Sequence, residues 1–184
     1  QRQQLFAVVK AFLAGNESGT RFRLKQLSES VPDFPPDDLL LAGMAFVAGN
    51  PVQGKILLER AGNLHRKHPG IALAFGRLAL SQGRLYDAQA LMEKADEINN
   101  AAELLPASKK FYAAAVLNSL TAIEVRRNAL DRAEQLVRQW EELAPDDDGM
   151  LMAAAEVEFL QNRDAQAMQY LNRRGSESRD QIPT

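Results

Sequence analysis

The sequence contains no cysteine, so disulfide bridges, thiolate zinc sites and a cysteine nucleophile are excluded. It also lacks a long apolar segment: the longest run of apolar residues and glycine, 39–49, has 11 residues, whereas a helix needs about 20 to cross a bilayer. With 22 lysines and arginines against 24 acidic residues, the chain lacks the strongly basic surface on which binding of nucleic-acid phosphates depends. We therefore expect no nucleic-acid partner and no membrane insertion within this fragment.

The remaining composition is that of an ordinary soluble globular protein, with 46% apolar and 25% charged residues in a chain of 184. Its length allows one or two domains. The chain begins with Gln-Arg-Gln-Gln and no methionine. We therefore expect it to be a processed or excised piece of a longer protein.

Internal repetition is the strongest signal in the sequence. Glycine or asparagine recurs every 34 residues once an 11-residue insertion is allowed at 103–113, at Gly15, Gly49, Gly83, Asn128 and Asn162. Both residue types tolerate the left-handed backbone that ends a helix, and the apolar residues on either side fall at helical rather than strand spacing. The sequence therefore predicts five helix-turn-helix units, at about 1–34, 35–68, 69–102, 114–147 and 148–181.

The third unit resembles the tetratricopeptide repeat. That pattern has a large-small pair, a small residue, a turn glycine, an alanine, a large apolar residue and a second alanine. The third unit has these in order as Phe75-Gly76, Ala79, Gly83, Ala88, Met92 and Ala95. The fourth unit repeats the second half of the pattern with Ala133, Val137 and Pro145. This resemblance implies an all-α fold, a right-handed α-solenoid of about five repeats, that acts by binding proteins.

We expect the solenoid to form a single domain over residues 1–174. Gly175 is predicted to end the last helix, and the polar residues after it predict a mobile tail at 175–184. The first helices of such a solenoid line its concave face. There the sequence places an apolar stripe with a few polar side chains, and the candidate groove residues are Leu5, Phe12, Leu39, Phe46, Leu73, Arg77, Leu80, Asn118 and Arg126.

The stripe fits two hypotheses equally. In one, it is an exposed groove that binds a peptide or helix, because long apolar patches on soluble monomers usually mark contact sites. In the other, it is core that strong curvature or a neighbouring chain covers.

The insertion carries Pro106, which predicts the start of a helix that runs on to Arg127 and is about two turns longer than its counterparts. Four residues near its start are candidates for a docking knob: Lys109, Lys110, Phe111 and Tyr112. The alternative, which we favour, is that they cover the edge of the preceding unit, because aromatic side chains become buried wherever they can.

Two histidines, His65 and His68, lie three residues apart, a spacing at which both imidazoles can face one metal ion. A zinc site needs three or four ligands, and the chain has no cysteine or third histidine to complete one. We therefore interpret them as cations and caps at the end of a helix, and we predict no metal site.

Two glutamates, Glu124 and Glu158, occupy equivalent positions in neighbouring units and fit an acid/base pair. We favour instead structural ion pairs with Arg127 or Arg163. The sequence has no glycine-rich phosphate loop, nucleophile elbow or His-Glu metalloprotease motif.

We therefore interpret the chain as a non-catalytic scaffold that uses no cofactor and binds a protein or peptide partner. Two alternatives stay open. In the first, the chain is an assembly subunit that associates with copies of itself into a homo-oligomer. In the second, it is an accessory interaction domain of a larger enzyme.

Overall fold

The computed structural model describes residues 2–180, and the side chains of residues 5–174. Over residues 2–180 it contains ten α-helices and no strand. They are α1 (Arg2–Leu13), α2 (Glu17–Ser30), α3 (Asp37–Val47), α4 (Pro51–Leu64), α5 (Pro69–Ser81), α6 (Leu85–Ala101), α7 (Pro106–Arg126), α8 (Leu130–Leu143), α9 (Asp148–Leu160) and α10 (Asp164–Asp180). Each odd-numbered helix packs against the even-numbered helix that follows it, so the chain forms a solenoid of helix pairs.

The turn inside each pair is the one that the sequence predicts. The five turn residues all adopt positive φ angles: 70° at Gly15, 75° at Gly49 and Gly83, 58° at Asn128 and 60° at Asn162. An L-residue with a Cβ atom crowds the following carbonyl oxygen in this conformation, which glycine avoids and asparagine tolerates. The 34-residue spacing of these two residue types therefore reflects a backbone requirement.

Buried apolar side chains form three successive clusters along the solenoid. The first extends from Val8 to Leu58, the second from Ala72 to Ile123, and the third from Ala114 to Val157. The third contains Trp140, which stands where the repeat usually has a small residue. A Cβ atom on Gly149 would lie 3.1 Å from the Trp140 ring, so the glycine of the adjacent helix makes the space that the indole occupies.

Two features of the later helices concern predicted boundaries. Helix α7 begins at Pro106, as predicted, and its 21 residues reach back to pack on α5 and α6 as well as on α8 and α9. Helix α10 does not end at Gly175 but continues to Asp180. A glycine inside a helix costs only about 1 kcal/mol relative to alanine, so it does not end a helix by itself. Residues 181–184 of the predicted tail lie outside the described residues.

A buried carboxylate joins the first two helix pairs. Asp38, in the first turn of α3, is 8% exposed and accepts a hydrogen bond of 2.9 Å from Arg21 of α2 and one of 2.6 Å from Nε of Arg60 of α4. The hydrogen bond from Arg60 lowers the pKa of Asp38; the bond from Arg21 adds to this, whereas burial opposes it. The charged form of Asp38 therefore stabilises the packing of three helices.

Gly83→Ala tests the left-handed turns. We expect the free energy of unfolding, measured in urea, to fall by about 1 kcal/mol, because alanine is strained at φ 75°. Gly43→Ala, inside α3, is the matched control, since an added Cβ meets no heavy atom of the described residues within 4 Å at either position. The control should gain about 0.5 kcal/mol from helix propensity. Equal effects at the two positions would contradict our account of the turns.

Asp38→Asn tests the ion pairs of the first two helix pairs. At pH 7 we expect a loss of about 1–2 kcal/mol, because the arginines are partly exposed and only the carboxylate is buried. The folded-state pKa of Asp38 is lowered, so its contribution is complete above the ordinary value of 3.8 and is lost as the pH falls through the folded pKa. The difference between parent and variant should therefore shrink below about pH 4. A difference that is independent of pH would contradict the role of the charge.

Candidate partner-binding groove

An apolar groove lies between α3, α5 and the first turns of α7. It has a volume of about 490 Å³ and is open to solvent. Its largest apolar side chains are Leu39, Leu40, Phe46, Leu58, Leu73, Leu78 and Phe111. Its polar side chains are Arg77, Ser81 and Tyr112. The groove is therefore an apolar surface with one cation in its wall.

The structure brings four of the nine predicted groove residues together in this surface: Leu39, Phe46, Leu73 and Arg77. They follow one another along α3 and α5 at helical spacing. Phe46 lies against Gly54 of α4, because a Cβ atom at residue 54 would be only 2.8 Å from the Phe46 ring. The groove floor is thus held by close packing of α3 on α4.

The other five predicted groove residues lie outside this surface. Leu5 is exposed on α1, and Phe12 lines a separate hollow between α1 and α4. Leu80 is buried in the second core cluster. Asn118 is exposed on α7, and Nη1 of Arg126 donates a hydrogen bond of 2.7 Å to the carbonyl oxygen of Leu80. The predicted stripe is therefore divided between a groove, a core and two exposed ends.

The residues that fit a docking knob separate in the same way. Tyr112 is 5% exposed and packs in the core, whereas Phe111 is 64% exposed at the rim of the groove. Their rings are edge-to-face, with centroids 5.3 Å apart. The carbonyl oxygen of Lys109 accepts a hydrogen bond of 3.0 Å from Asn99, and Lys110 is exposed outside the groove. Part of the segment covers the preceding unit, and part of it extends the groove.

Tyr112 contacts His68. Our prediction that His68 lies at a helix C-terminus is wrong, because it lies at a helix N-terminus. His68 is the N-cap of α5, and its Nδ1 accepts a hydrogen bond of 3.2 Å from the Gly70 N–H. In the neutral imidazole Nε2 then carries the proton and points to the Tyr112 hydroxyl oxygen, 3.4 Å away. Burial, with a smaller effect of His65, lowers the pKa of His68, and burial raises the pKa of Tyr112 to about 12. Both rings are therefore neutral at pH 7.

A second long-range contact positions the start of α7. Asp33, in the linker between α2 and α3, has a φ of 55° and accepts a hydrogen bond of 2.7 Å from the backbone N–H of Leu105. Leu105 is the N-cap residue of α7. This bond fixes the first turn of α7 beside α3, where Phe111 completes the groove.

The paired glutamates form structural ion pairs, as the favoured interpretation predicted. Glu124 lies 3.1 Å from Nη1 of Arg127, which also donates a hydrogen bond of 2.6 Å to Gln89 of α6. Glu158 lies 2.7 Å from Nε of Arg163, at an angle that makes an ion pair without a hydrogen bond. Each carboxylate is thus paired with the arginine that the favoured interpretation names, which is a structural role.

Within the described residues, histidines and carboxylates form no group of three or more that fits a metal ion. In the same part of the chain, no helix has both the length and the apolar character needed to span a bilayer.

Sequence reasoning missed several groove residues, although a signal for some of them exists. Gly43 lies at i+4 and Phe46 at i+7 from Leu39, so one helical face contains all three. Extending the predicted stripe along that face would have found Gly43. Gly70 lies at i−3 from Leu73 on α5, so it has the same signal. Pro35 has no comparable signal, since it lies in the linker between α2 and α3.

Comparison with known proteins shows the fold. No protein-family model matches the sequence, and no curated protein matches it significantly. Among solved structures, Cut9 in its heterotetramer with Hcn1 matches with a TM-score of 0.71 at 16% identity, over 95% of this chain and 33% of Cut9. Yeast Tom70 matches with a TM-score of 0.67 at 16% identity, over 96% of this chain and 35% of Tom70. PilF of Pseudomonas aeruginosa matches with a TM-score of 0.65 at 12% identity, over 95% of this chain and 75% of PilF.

The chain thus spans about a third of the length of Cut9 and Tom70. All three are tetratricopeptide-repeat proteins, and the described part of this chain has the same succession of helix pairs. The fold is therefore the tetratricopeptide-repeat-like, right-handed α-solenoid that the third unit predicts.

Proposed function

We propose that this chain is a non-catalytic protein-interaction scaffold, and that a peptide or helix of a partner protein binds in the groove between α3, α5 and α7. The observation that carries the proposal is the groove itself. It keeps large apolar side chains in contact with water, among them Phe111 at its rim. Removing such surface from water is favourable by about 25 cal/mol per Å², so an occupant with apolar side chains is stabilised there.

Two aromatic side chains of the groove are packed against neighbouring residues of the chain. Phe46 is packed on Gly54, and Tyr112 is held by His68. Side chains that are already fixed lose little conformational freedom on binding. This preorganisation supports recognition of a partner by a rigid surface.

The polar side chains of the groove give little support to catalysis. None of them is a carboxylate or a thiolate. The Ser81 hydroxyl donates to the carbonyl oxygen of Leu78 at 2.8 Å, and the raised pKa keeps the Tyr112 phenol protonated at neutral pH. A binding role therefore suits this chemistry better than a nucleophilic or acid/base role.

The comparisons add support of a general kind. Cut9, whose fold this chain shares, was solved in a complex with another protein, Hcn1. From this we propose a general protein-binding role for the present chain, without a particular partner.

Self-association is the second candidate, and a specific observation favours it. Helix α1 exposes four large apolar side chains, Leu5, Phe6, Val9 and Leu13. A second copy of the chain that covered them would remove this surface from water. In that case light scattering would show a mass above 20.4 kDa, the mass of one chain, for the parent. The Leu13→Asp variant would show a lower mass than the parent.

Phe111→Asp tests the groove. We expect the parent chain to select apolar peptides from a random 12-residue display library, and the variant to bind them about tenfold more weakly or worse, because a carboxylate at the rim loses hydration on binding. Phe22→Asp is the matched control, since Phe22 on α2 is also 64% exposed but lies outside the groove. Circular dichroism should show both variants folded.

Two results of this experiment would contradict the proposal. One is a parent chain that selects no peptide. The other is equal loss of binding in the two aspartate variants, which would show that the peptides bind elsewhere or that surface charge alone weakens binding.

A further inference from the structure

The wall of the groove contains an arginine without a counter-charge. Arg77 of α5 lines the groove, and among the described residues it forms no hydrogen bond or ion pair. The protein around it removes part of its water and so lowers the pKa of its guanidinium, and no neighbouring charge contributes to that shift. The side chain still reaches solvent. An arginine remains charged at neutral pH even so.

The two arginines at the end of α7 have acceptors within the chain. Arg126 donates to the Leu80 carbonyl oxygen, and Arg127 pairs with Glu124. In each case the acceptor belongs to this chain. Arg77 therefore stands apart as an exposed charge in the wall of an apolar groove, with no acceptor among the described residues.

An occupant of the groove that covers Arg77 would remove water from its guanidinium. An apolar partner would leave a desolvated, unpaired charge, which opposes binding. A carboxylate in the partner would instead accept charge-assisted hydrogen bonds from the planar guanidinium, and Arg matches that group with two parallel donors. The groove thus discriminates between partners by charge as well as by shape.

The position of Arg77 indicates where such a carboxylate lies. Leu73 is one helical turn before it on α5, and Ser81 one turn after it, and both line the groove. Arg77 is therefore in the middle of the wall and not at its end. A segment that runs along the groove passes Arg77 with side chains, so we assign the carboxylate to an aspartate or glutamate and not to a chain terminus.

We propose that the partner segment presents apolar side chains to Leu39, Phe46 and Leu73 and one aspartate or glutamate, about one helical turn away, to Arg77. This inference rests on the proposed function and adds to it the chemical class of the partner.

Peptides with blocked termini provide the test. The peptides that the parent chain selects are synthesised with acetylated and amidated ends, each with its acidic residue and with the neutral isostere, Glu→Gln or Asp→Asn. We expect the parent to bind the acidic form about tenfold more tightly. Arg77→Gln should bind both forms equally, and Arg77→Lys should keep part of the preference. Lys110→Gln removes an exposed cation outside the groove and should keep all of it.

Four outcomes would overturn the inference. They are equal binding of acidic and neutral peptides by the parent, an acidic preference that persists in Arg77→Gln, loss of the preference in Lys110→Gln, and binding that needs a free C-terminal carboxylate. Each of these leaves the groove function standing if Phe111→Asp still weakens binding while Phe22→Asp does not. Failure to select any peptide, or binding that is insensitive to Phe111→Asp, would overturn the proposed function together with this inference.

Discussion

In the described part of the chain, each core cluster is built from side chains of neighbouring helix pairs, and the rest of the structure depends on that constraint. Leu24 and Leu27 of α2 belong to the same core cluster as Leu41 of α3, and Met92 of α6 belongs to the same core cluster as Val116 of α7. A pair is therefore stable only when a neighbouring pair completes its core. The left-handed residue in each turn makes this possible, since it returns the chain within three residues to begin the second helix.

The groove arises where stacking leaves apolar surface uncovered on the first helices. Its floor belongs to α3 and α5, but its rim depends on the insertion at 103–113, which forms the first turns of α7. The additional turns place Phe111 and Tyr112 beside these helices, and the contacts of Asp33 with Leu105 and of His68 with Tyr112 hold them there. One segment thus seals part of the core with Tyr112 and extends the exposed surface with Phe111.

Charged side chains in the described part of this solenoid fall into two groups. Asp38 gathers Arg21 and Arg60 and so joins three helices, and Arg127 bridges α7 to α6 through Gln89. Each of these charges has its acceptor or donor within the chain and contributes to packing. Arg77 has no such acceptor among the described residues. Its charge costs little while the groove is open to water, so it can serve selectivity without destabilising the free protein.

The sequence by itself determined the helix pairs, because the turn residues must adopt positive φ and only glycine and asparagine do so readily. It also determined that Leu39, Phe46, Leu73 and Arg77 share a face, since helical periodicity aligns them. Only the tertiary structure decided that Asn118 and Arg126 lie outside the groove while Phe111 enters it. That result depends on where α7 begins relative to α3, which is set by contacts between residues 44 and 72 positions apart. Local propensity and periodicity contain no information about pairs so distant in the chain, because such contacts form only when the packed helices bring the linkers together.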